Sequence, residues 1–212
     1  MKTKILAIDK SNDVINNALN ILGNSGVVAF PTETVYGLGA DYSDELAIKK
    51  IFDVKGRSFA KPLAAHIASL EQVPLLCRDI PDDFYKLAKA FLPGPISIVL
   101  KKKKSVSNLL TAGFDTLAIR FPDNEIAIEL INRYGKPLAA TSANISGRKS
   151  PINAEDVYEE LREKIPLIID GGETSCKLES TVISLIEQPK ILRPGAVRIE
   201  AIEDTLGQII AK

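Results

Sequence analysis

The sequence predicts an α/β (α+β) fold in which helices flank a mixed sheet of parallel and antiparallel strands. Apolar runs of strand length alternate with segments whose apolar residues recur at the helical period. Several predicted strands also follow one another through short links, which a purely parallel sheet does not allow. No long linker, internal repeat or shift in composition divides the chain, so we expect one domain over residues 1–212.

Helices are predicted where this periodicity lies between capping residues. Ser11 or Asn12 can cap the first helix, and Gly23 can end it. Asn124 and Gly135 bound another helix, and Asn153 begins a further one. The predicted helices cover 14–22, 44–54, 82–92, 124–134, 153–164 and 199–210.

Strands are predicted where short apolar runs end at turn residues. Pro93-Gly94-Pro95 precedes one such run, and the segment 187–189 suits a hairpin between the last two. The predicted strands cover 26–30, 63–67, 96–100, 117–121, 138–141, 167–170, 181–185 and 190–193.

Composition excludes several classes of protein. Lysine plus arginine equals aspartate plus glutamate at 27 each, which argues against bulk electrostatic attraction to nucleic acid. No apolar stretch approaches the length of a membrane span or a signal peptide. Cys77 and Cys176 are far apart and are expected to be reduced, buried thiols. With one histidine besides, no metal site built by the protein is expected, and we predict a soluble cytoplasmic protein without membrane contact.

The stretch 27–67 carries the first candidate functional residues. A buried strand ends at Pro31 and gives way to the polar segment PTETVYGLG, which we interpret as a turn containing Thr34. One predicted helix later come Lys55, Arg57 and Lys61, followed by His66. A strand that ends in a polar turn is a common ligand position in α/β sheets, and the nearby cations suit an anionic ligand.

Each of these features also has a purely structural interpretation. Lys55 with Gly56 is typical of a helix C-terminus, and the polar turn could satisfy its own backbone. A lone histidine such as His66 is more often a core residue than a ligand. Arg120 can be a solvated residue at a strand end or an anchor for an anion. The segment SANISG (142–147) can be a plain turn or a loop that binds phosphate. The run Lys101–Lys104 is interpreted as a solvated face.

The chain resembles the YrdC-like family of threonylcarbamoyl-AMP synthases. The resemblance rests on PTETVYGLG, on the K-x-R of Lys55-Gly56-Arg57 with KPL and His66 behind it, on SAN-x-SG at 142–147, on ESTV at 179–182 and on RPG at 193–195. These motifs run in the family's order over about residues 10–200. The resemblance implies a YrdC/RibB-like twisted mixed sheet with a large concave basic cavity, in a single YrdC-like domain over residues 1–212.

The resemblance also implies which residues bind each substrate. Lys55 and Arg57 are expected to act in catalysis as a clamp on phosphate. The threonine site is expected to contain Thr34, His66, Arg120, Ala140 and Ser180. ATP is expected to contact Arg57, Lys61, Thr116, Ser142, Asn144, Ser150 and Arg193. His66 is thereby expected at the threonine and not in the core.

The activity implied is formation of L-threonylcarbamoyladenylate from L-threonine, bicarbonate or CO2, and ATP, with release of pyrophosphate. Mg²⁺ would arrive with ATP. The product would pass to a tRNA threonylcarbamoyl transferase that modifies adenosine 37 of tRNA, and weak contact with tRNA or double-stranded RNA stays open. Two alternatives remain: a non-catalytic RNA-binding module, and a related carbamoyl-adenylate chemistry.

Overall fold

The computed structural model describes residues 2–8 and 13–210, which form one ten-stranded sheet with flanking helices. The strands are β1 (Lys4–Ala7), β2 (Val28–Phe30), β3 (Gly37–Asp41), β4 (Ala64–His66), β5 (Ile96–Lys101), β6 (Thr116–Arg120), β7 (Leu138–Ser142), β8 (Leu167–Asp170), β9 (Thr181–Ser184) and β10 (Lys190–Arg193). The helices are α1 (Asp13–Gly23), α2 (Glu45–Lys55), α3 (Val73–Leu76), α4 (Asp82–Phe91), α5 (Glu125–Tyr134), α6 (Ala154–Leu161) and α7 (Ile199–Leu206), with a 3₁₀ turn at Leu70–Gln72. None of the described helices is both long and apolar enough to cross a membrane.

The predicted mixed sheet is confirmed. Its strands are ordered β1-β8-β2-β3-β7-β4-β6-β5-β9-β10. β8 pairs in parallel with both β1 and β2, and the pairs β4–β6 and β5–β9 are also parallel. The other neighbours are antiparallel, including the predicted hairpin of β9 and β10. The prediction of one domain over residues 1–212 stays a prediction.

The capping residues act largely as the sequence predicts. Asn124 accepts a hydrogen bond from the backbone N–H of Ala127 at the start of α5, and Gly135 ends that helix in the left-handed conformation. Asn153 caps α6, and Gly56 ends α2 with a φ of 58°. The predicted first cap at Ser11 or Asn12 lies outside the described residues.

The polar turn predicted over PTETVYGLG is partly wrong, because Gly37 and Gly39 belong to strand β3. Glycine is a poor strand former, yet here it is required by packing. A Cβ on Gly39 would lie 2.7 Å from the ring of Phe30, and one on Gly37 would lie 3.1 Å from it. The close approach of β3 to that ring therefore decides the conformation, a tertiary effect that local composition does not reveal.

Other element ends also differ from the predictions. α6 stops at Leu161, not at 164, because the backbone N–H of Glu163 donates to the hydroxyl of Thr3 beside β1. α7 stops at Leu206, not at 210, since Gly207 takes the left-handed conformation there. Strand β1 and the short helical segment around α3 were not predicted.

Two predictions about single residues are wrong. Both cysteines are free thiols, and Cys77 is buried, which raises its pKa to about 12, but Cys176 is exposed. The lysine run is not a uniformly solvated face, because Lys102 is buried and donates to the carbonyl of Val106 and the side chain of Asn108.

Apolar side chains pack on both faces of the sheet. Val28 and Phe30 point into a cluster with α1 and α5, whereas Val27 and Ala29 belong to a larger cluster that includes α2 and α4. Beyond β7, the face that carries α1 and α5 opens into a concave surface. The expected concave cavity lies there.

Candidate active site

The floor of the cavity is a row of small side chains from neighbouring central strands. Ala64 of β4 stands in register with Ala118 of β6 on one side and with Ala140 of β7 on the other. All three line a cavity of about 640 Å³. Because these side chains are single methyl groups, the sheet is left uncovered at its centre, and a volume of this size suits a small-molecule ligand.

All thirteen residues that the resemblance assigned to the site line this one cavity. They come from loops and strands spread between positions 34 and 193 of the chain: Thr34, Lys55, Arg57, Lys61, His66, Thr116, Arg120, Ala140, Ser142, Asn144, Ser150, Ser180 and Arg193. Their joint placement agrees with a single site, while the role of each residue stays a prediction.

Arg120 is a buried cation at the end of β6. Only 3% of its surface is exposed, so the alternative of a solvated strand end is wrong. Its Nη2 donates to Glu33 Oε1 over 2.8 Å and to Thr34 Oγ1 over 3.1 Å. Burial lowers the pKa of Arg120, and the carboxylate of Glu33 opposes that shift. Its Nε has no hydrogen-bond partner among the described residues, so the guanidinium keeps a free donor.

The loop after β2 combines both interpretations of the polar turn. Thr32 satisfies the local backbone: its hydroxyl donates to the carbonyl of Val35 and accepts from the backbone N–H of Thr34. The hydroxyl of Thr34 contacts Arg120 and lies 2.9 Å from the hydroxyl of Thr32. Both threonines line the cavity, so the loop satisfies its own backbone and also contributes to the cavity wall.

His66 lies beside Arg120, because β4 and β6 pair in register at these two residues. Its ring is half-buried and stands edge-on to Phe30, with the centroids 6.1 Å apart. Burial, and then the charge of Arg120, lower the pKa of His66 to about 3. The ring is therefore neutral at pH 7. Its buried Nδ1 lacks a hydrogen-bond partner within the described part of the chain.

Ser180 connects the two halves of the cavity. Its hydroxyl lies 3.0 Å from the hydroxyl of Ser97, which pairs in register with Arg120. Its carbonyl accepts two hydrogen bonds from Arg193, one from Nε over 3.2 Å and one from Nη2 over 2.8 Å. The predicted threonine site and the predicted ATP site are thus physically joined.

Lys55 is buried to 1% exposure at the end of α2, and its contacts change the role expected for it. Its Nζ donates to the carbonyl of Ser142, and to the carbonyl and side-chain oxygens of Asn144 over 2.6 and 3.3 Å. An ammonium has three protons, and all three are used here. The predicted clamp of Lys55 on phosphate is therefore not the arrangement found. Lys55 instead holds the SANISG loop.

Arg57 fits the clamp better. Its Nε and Nη2 donate to the carbonyls of Lys61 and Pro62, which hold the guanidinium at the cavity wall. Burial lowers the pKa of Arg57, and the charge of Arg193 lowers it further. The side chain of Lys61 is exposed at the cavity wall, where it can reach either a ligand or solvent.

Glu179 is a cavity residue that the sequence analysis did not assign. Its Oε1 accepts from the hydroxyl of Ser150 over 2.5 Å, and its Oε2 lies 2.5 Å from Nη1 of Arg193. It is the first residue of the ESTV motif, so its position was visible in the sequence. A carboxylate among predicted phosphate contacts gave no reason to choose it.

Charge is strongly segregated in this molecule of zero net charge. Six basic side chains line the cavity: Lys55, Arg57, Lys61, Arg120, Arg148 and Arg193. Among the described residues, Glu179 is the one carboxylate in the lining. In the same part of the chain, no group of three or more His, Cys, Asp or Glu side chains could hold a metal ion.

Comparison with known proteins identifies the family to which the chain is similar. The model of the Sua5/YciO/YrdC family, described as "Telomere recombination", matches residues 20–195. A threonylcarbamoyl-AMP synthase of Pyrococcus abyssi is 50% identical over 92% of this chain and 58% of its own length. One of Bacillus subtilis is 43% identical over 99% of this chain and 63% of its own length.

Among solved structures, that of Pyrococcus abyssi Sua5 complexed with L-threonine has a TM-score of 0.95 at 46% identity, covering 99% of this chain and 63% of the other. The chain thus spans less than two thirds of the relatives named above. The family model, in contrast, covers most of the chain and includes every predicted site residue. The chain belongs to the Sua5/YciO/YrdC family.

Proposed function

We propose that this chain joins L-threonine, bicarbonate or CO2, and ATP into L-threonylcarbamoyladenylate and releases pyrophosphate. One observation carries the proposal: the twelve residues assigned to the two substrates, together with Lys55, are distant in sequence yet line one cavity, in which the two assigned substrate groups are in contact. Relatives named threonylcarbamoyl-AMP synthase and a Sua5 structure complexed with L-threonine support the same activity.

Threonine is proposed to bind at the end of the cavity formed by Thr34, His66 and Arg120. The free donor of Arg120 suits the threonine carboxylate, because a buried guanidinium forms strong charge-assisted hydrogen bonds. The neutral ring of His66 offers its unpaired Nδ1 to the polar groups of the amino acid. Ser180 and the small floor residue Ala140 complete this end.

ATP is proposed to bind along the basic wall. Arg57 and Arg193 can neutralise phosphate charge, and Lys61 can add to it. Ser150 and Thr116 are hydroxyl donors on the same surface. Ser142 and Asn144 belong to the loop that Lys55 holds, so Lys55 acts through that loop. Arg57, Lys61 and Arg193 concentrate positive potential where the polyphosphate would lie.

The chemistry requires no side-chain nucleophile. The threonine amine adds to CO2 and loses a proton, giving a carbamate whose oxygen attacks the α-phosphate of ATP, and the bond to pyrophosphate breaks. Holding the two anions in line can supply roughly 7–11 kcal/mol of the barrier. Preorganised cations stabilise the charge that builds on the phosphates, and this is the part that Arg57 and Arg193 would play.

Mg²⁺ is proposed to arrive on the ATP phosphates. The donor set fits this mode, because Glu179 is the single carboxylate in the lining among the described residues, and Mg²⁺ bound to nucleotide needs few protein ligands. When bound, the ion would neutralise phosphate charge. We further propose a cytoplasmic location and delivery of the unstable product to a tRNA threonylcarbamoyl transferase.

Mass spectrometry of the products formed from ATP, bicarbonate and threonine tests the proposal. We expect threonylcarbamoyl-AMP and pyrophosphate, and no adduct when threonine is replaced by other amino acids in a panel. Arg57→Ala should lower the rate on the order of a hundredfold, whereas Lys89→Ala, on the exposed side of α4, should not change it. Salt-sensitive RNA binding without any ATP turnover would instead favour the RNA-binding alternative.

A further inference from the structure

Glu179 occupies the position in which an anionic ligand would be expected. It lies in the segment between β8 and β9 and projects into the basic cavity. Each of its carboxylate oxygens contacts one residue of the predicted ATP set, Ser150 or Arg193, over 2.5 Å. A phosphate group uses the same donors in the same way, because hydroxyls and guanidinium groups bind carboxylates and phosphates alike.

Glu179 also acts on the rest of the cation cluster. Burial lowers the pKa of Arg57 and of Lys55, and the negative charge of Glu179 opposes both shifts. The one carboxylate in the described lining therefore serves as counter-ion for three cations. Glu160 also opposes the shift of Lys55, but without Glu179 the charges of Arg57 and Arg193 would face each other with no carboxylate of the lining between them.

We propose that Glu179 is an internal substitute for a phosphate group, which gives way to the polyphosphate when ATP binds and returns to Ser150 and Arg193 as pyrophosphate leaves. The inference deepens the proposed function and rests on it. It answers a physical problem of that function, since the cations proposed to contact the polyphosphate, Arg57, Lys61 and Arg193, would hold a pyrophosphate product tightly.

The geometry allows this exchange at little cost. The side chains of Glu179 and Arg193 are 37% and 45% exposed, so the carboxylate can turn toward solvent. Arg193 stays in place during the exchange, because its Nε and Nη2 remain on the carbonyl of Ser180. Of its donors only Nη1 changes partner, together with the hydroxyl of Ser150. The exchange replaces two charge-assisted contacts by two others of the same kind.

The test is calorimetric titration of Glu179→Gln with inorganic pyrophosphate and, separately, with Mg–ATP. Glu173→Gln is the matched control: it lies in the same segment, is also ion-paired, to Lys177, and removes the same charge outside the cavity lining. We expect Glu179→Gln to bind pyrophosphate about three- to tenfold more tightly than the wild type. Glu173→Gln should match the wild type.

Stopped-flow kinetics adds a readout that general charge removal would not give. Loss of a directly competing contact should slow pyrophosphate dissociation, whereas a change in the long-range field would mainly speed association. Pyrophosphate binding by Glu179→Gln that equals or falls below that of the wild type would overturn the inference, and so would a gain in affinity that arises from the association rate alone. In either case, binding of ATP by the wild type would leave the proposed function standing. A wild-type protein that binds neither ligand would overturn both.

Discussion

His66 should make the stability of this protein depend on pH in mildly acidic solution. The ring is half-buried beside Phe30 and Arg120, and its pKa is lowered to about 3 from an ordinary value of 6.5. Between these two values the native ring stays neutral, while the ring in the unfolded chain takes up a proton. The unfolded state then binds more protons, so the free energy of unfolding falls as the pH falls.

The size of the effect follows from the two pKa values. Each pH unit below the unfolded value of 6.5 lowers the free energy of unfolding by about 1.4 kcal/mol. At pH 5 the loss is therefore up to about 2 kcal/mol. The loss begins as the pH falls through 6.5 and levels off near 3, where the native ring is also protonated. At pH 7 the contribution is close to zero.

Urea unfolding of the wild type and of His66→Gln at pH 7 and pH 5 measures this effect. Glutamine has no titratable group, so the variant should lose about 2 kcal/mol less than the wild type between the two conditions. Carboxylates elsewhere titrate equally in both proteins and cancel in the comparison. An equal loss in both proteins, at equal m-values, would refute the assignment of a neutral ring.

Three further changes test the site and the fold. Lys55→Met leaves buried carbonyls of the SANISG loop unpaired, so the free energy of unfolding in urea should fall by about 3 kcal/mol. Calorimetry should also show weaker ATP binding. Lost activity at unchanged stability and ATP affinity would contradict the positioning role of Lys55. Glu33→Gln removes the negative charge that pairs with the buried Arg120, and it should raise the KM for threonine about tenfold while the KM for ATP is unchanged. Equal changes in both KM values would contradict the assignment of Arg120 to the threonine site. Gly39→Ala places a Cβ 2.7 Å from the Phe30 ring and should cost about 1–3 kcal/mol in urea unfolding, whereas Gly23→Ala, with no atom within 4 Å, should be neutral or better.

Local patterns were enough to predict most of the fold. Helix periodicity with Asn124, Asn153 and Gly135 at the ends locates α5 and the start of α6, because caps satisfy the free backbone groups of a helix within a few residues. Strand β3 could not be predicted in this way. Gly37 and Gly39 favour a turn locally, and only the ring of Phe30 from the neighbouring strand explains why glycine occupies a strand there.

The site was predictable as a set of residues but not as a set of roles. Ordered motifs identify which side chains converge, and all of them line the cavity. They do not reveal that Lys55 donates its hydrogen bonds to the SANISG loop, or that Arg120 is paired with Glu33. Both facts depend on burial and on partners about ninety residues away, and no pattern along the chain encodes these.

The buried cations explain how a neutral chain can build a strongly basic cavity. Arg120 is paired with Glu33 behind the cavity wall, and Lys55 is held by backbone carbonyls. The free-energy penalty of burying each charge is therefore smaller than for an unpaired cation. These two cations fix the walls. Arg57 and Arg193 are less buried and remain available to a ligand, with Glu179 as their exchangeable counter-ion. The cations that organise the site are thus separate from those that would bind the substrate, so substitutions in the two groups should differ. The first should lower stability together with ligand binding, and the second should lower ligand binding and rate with stability unchanged.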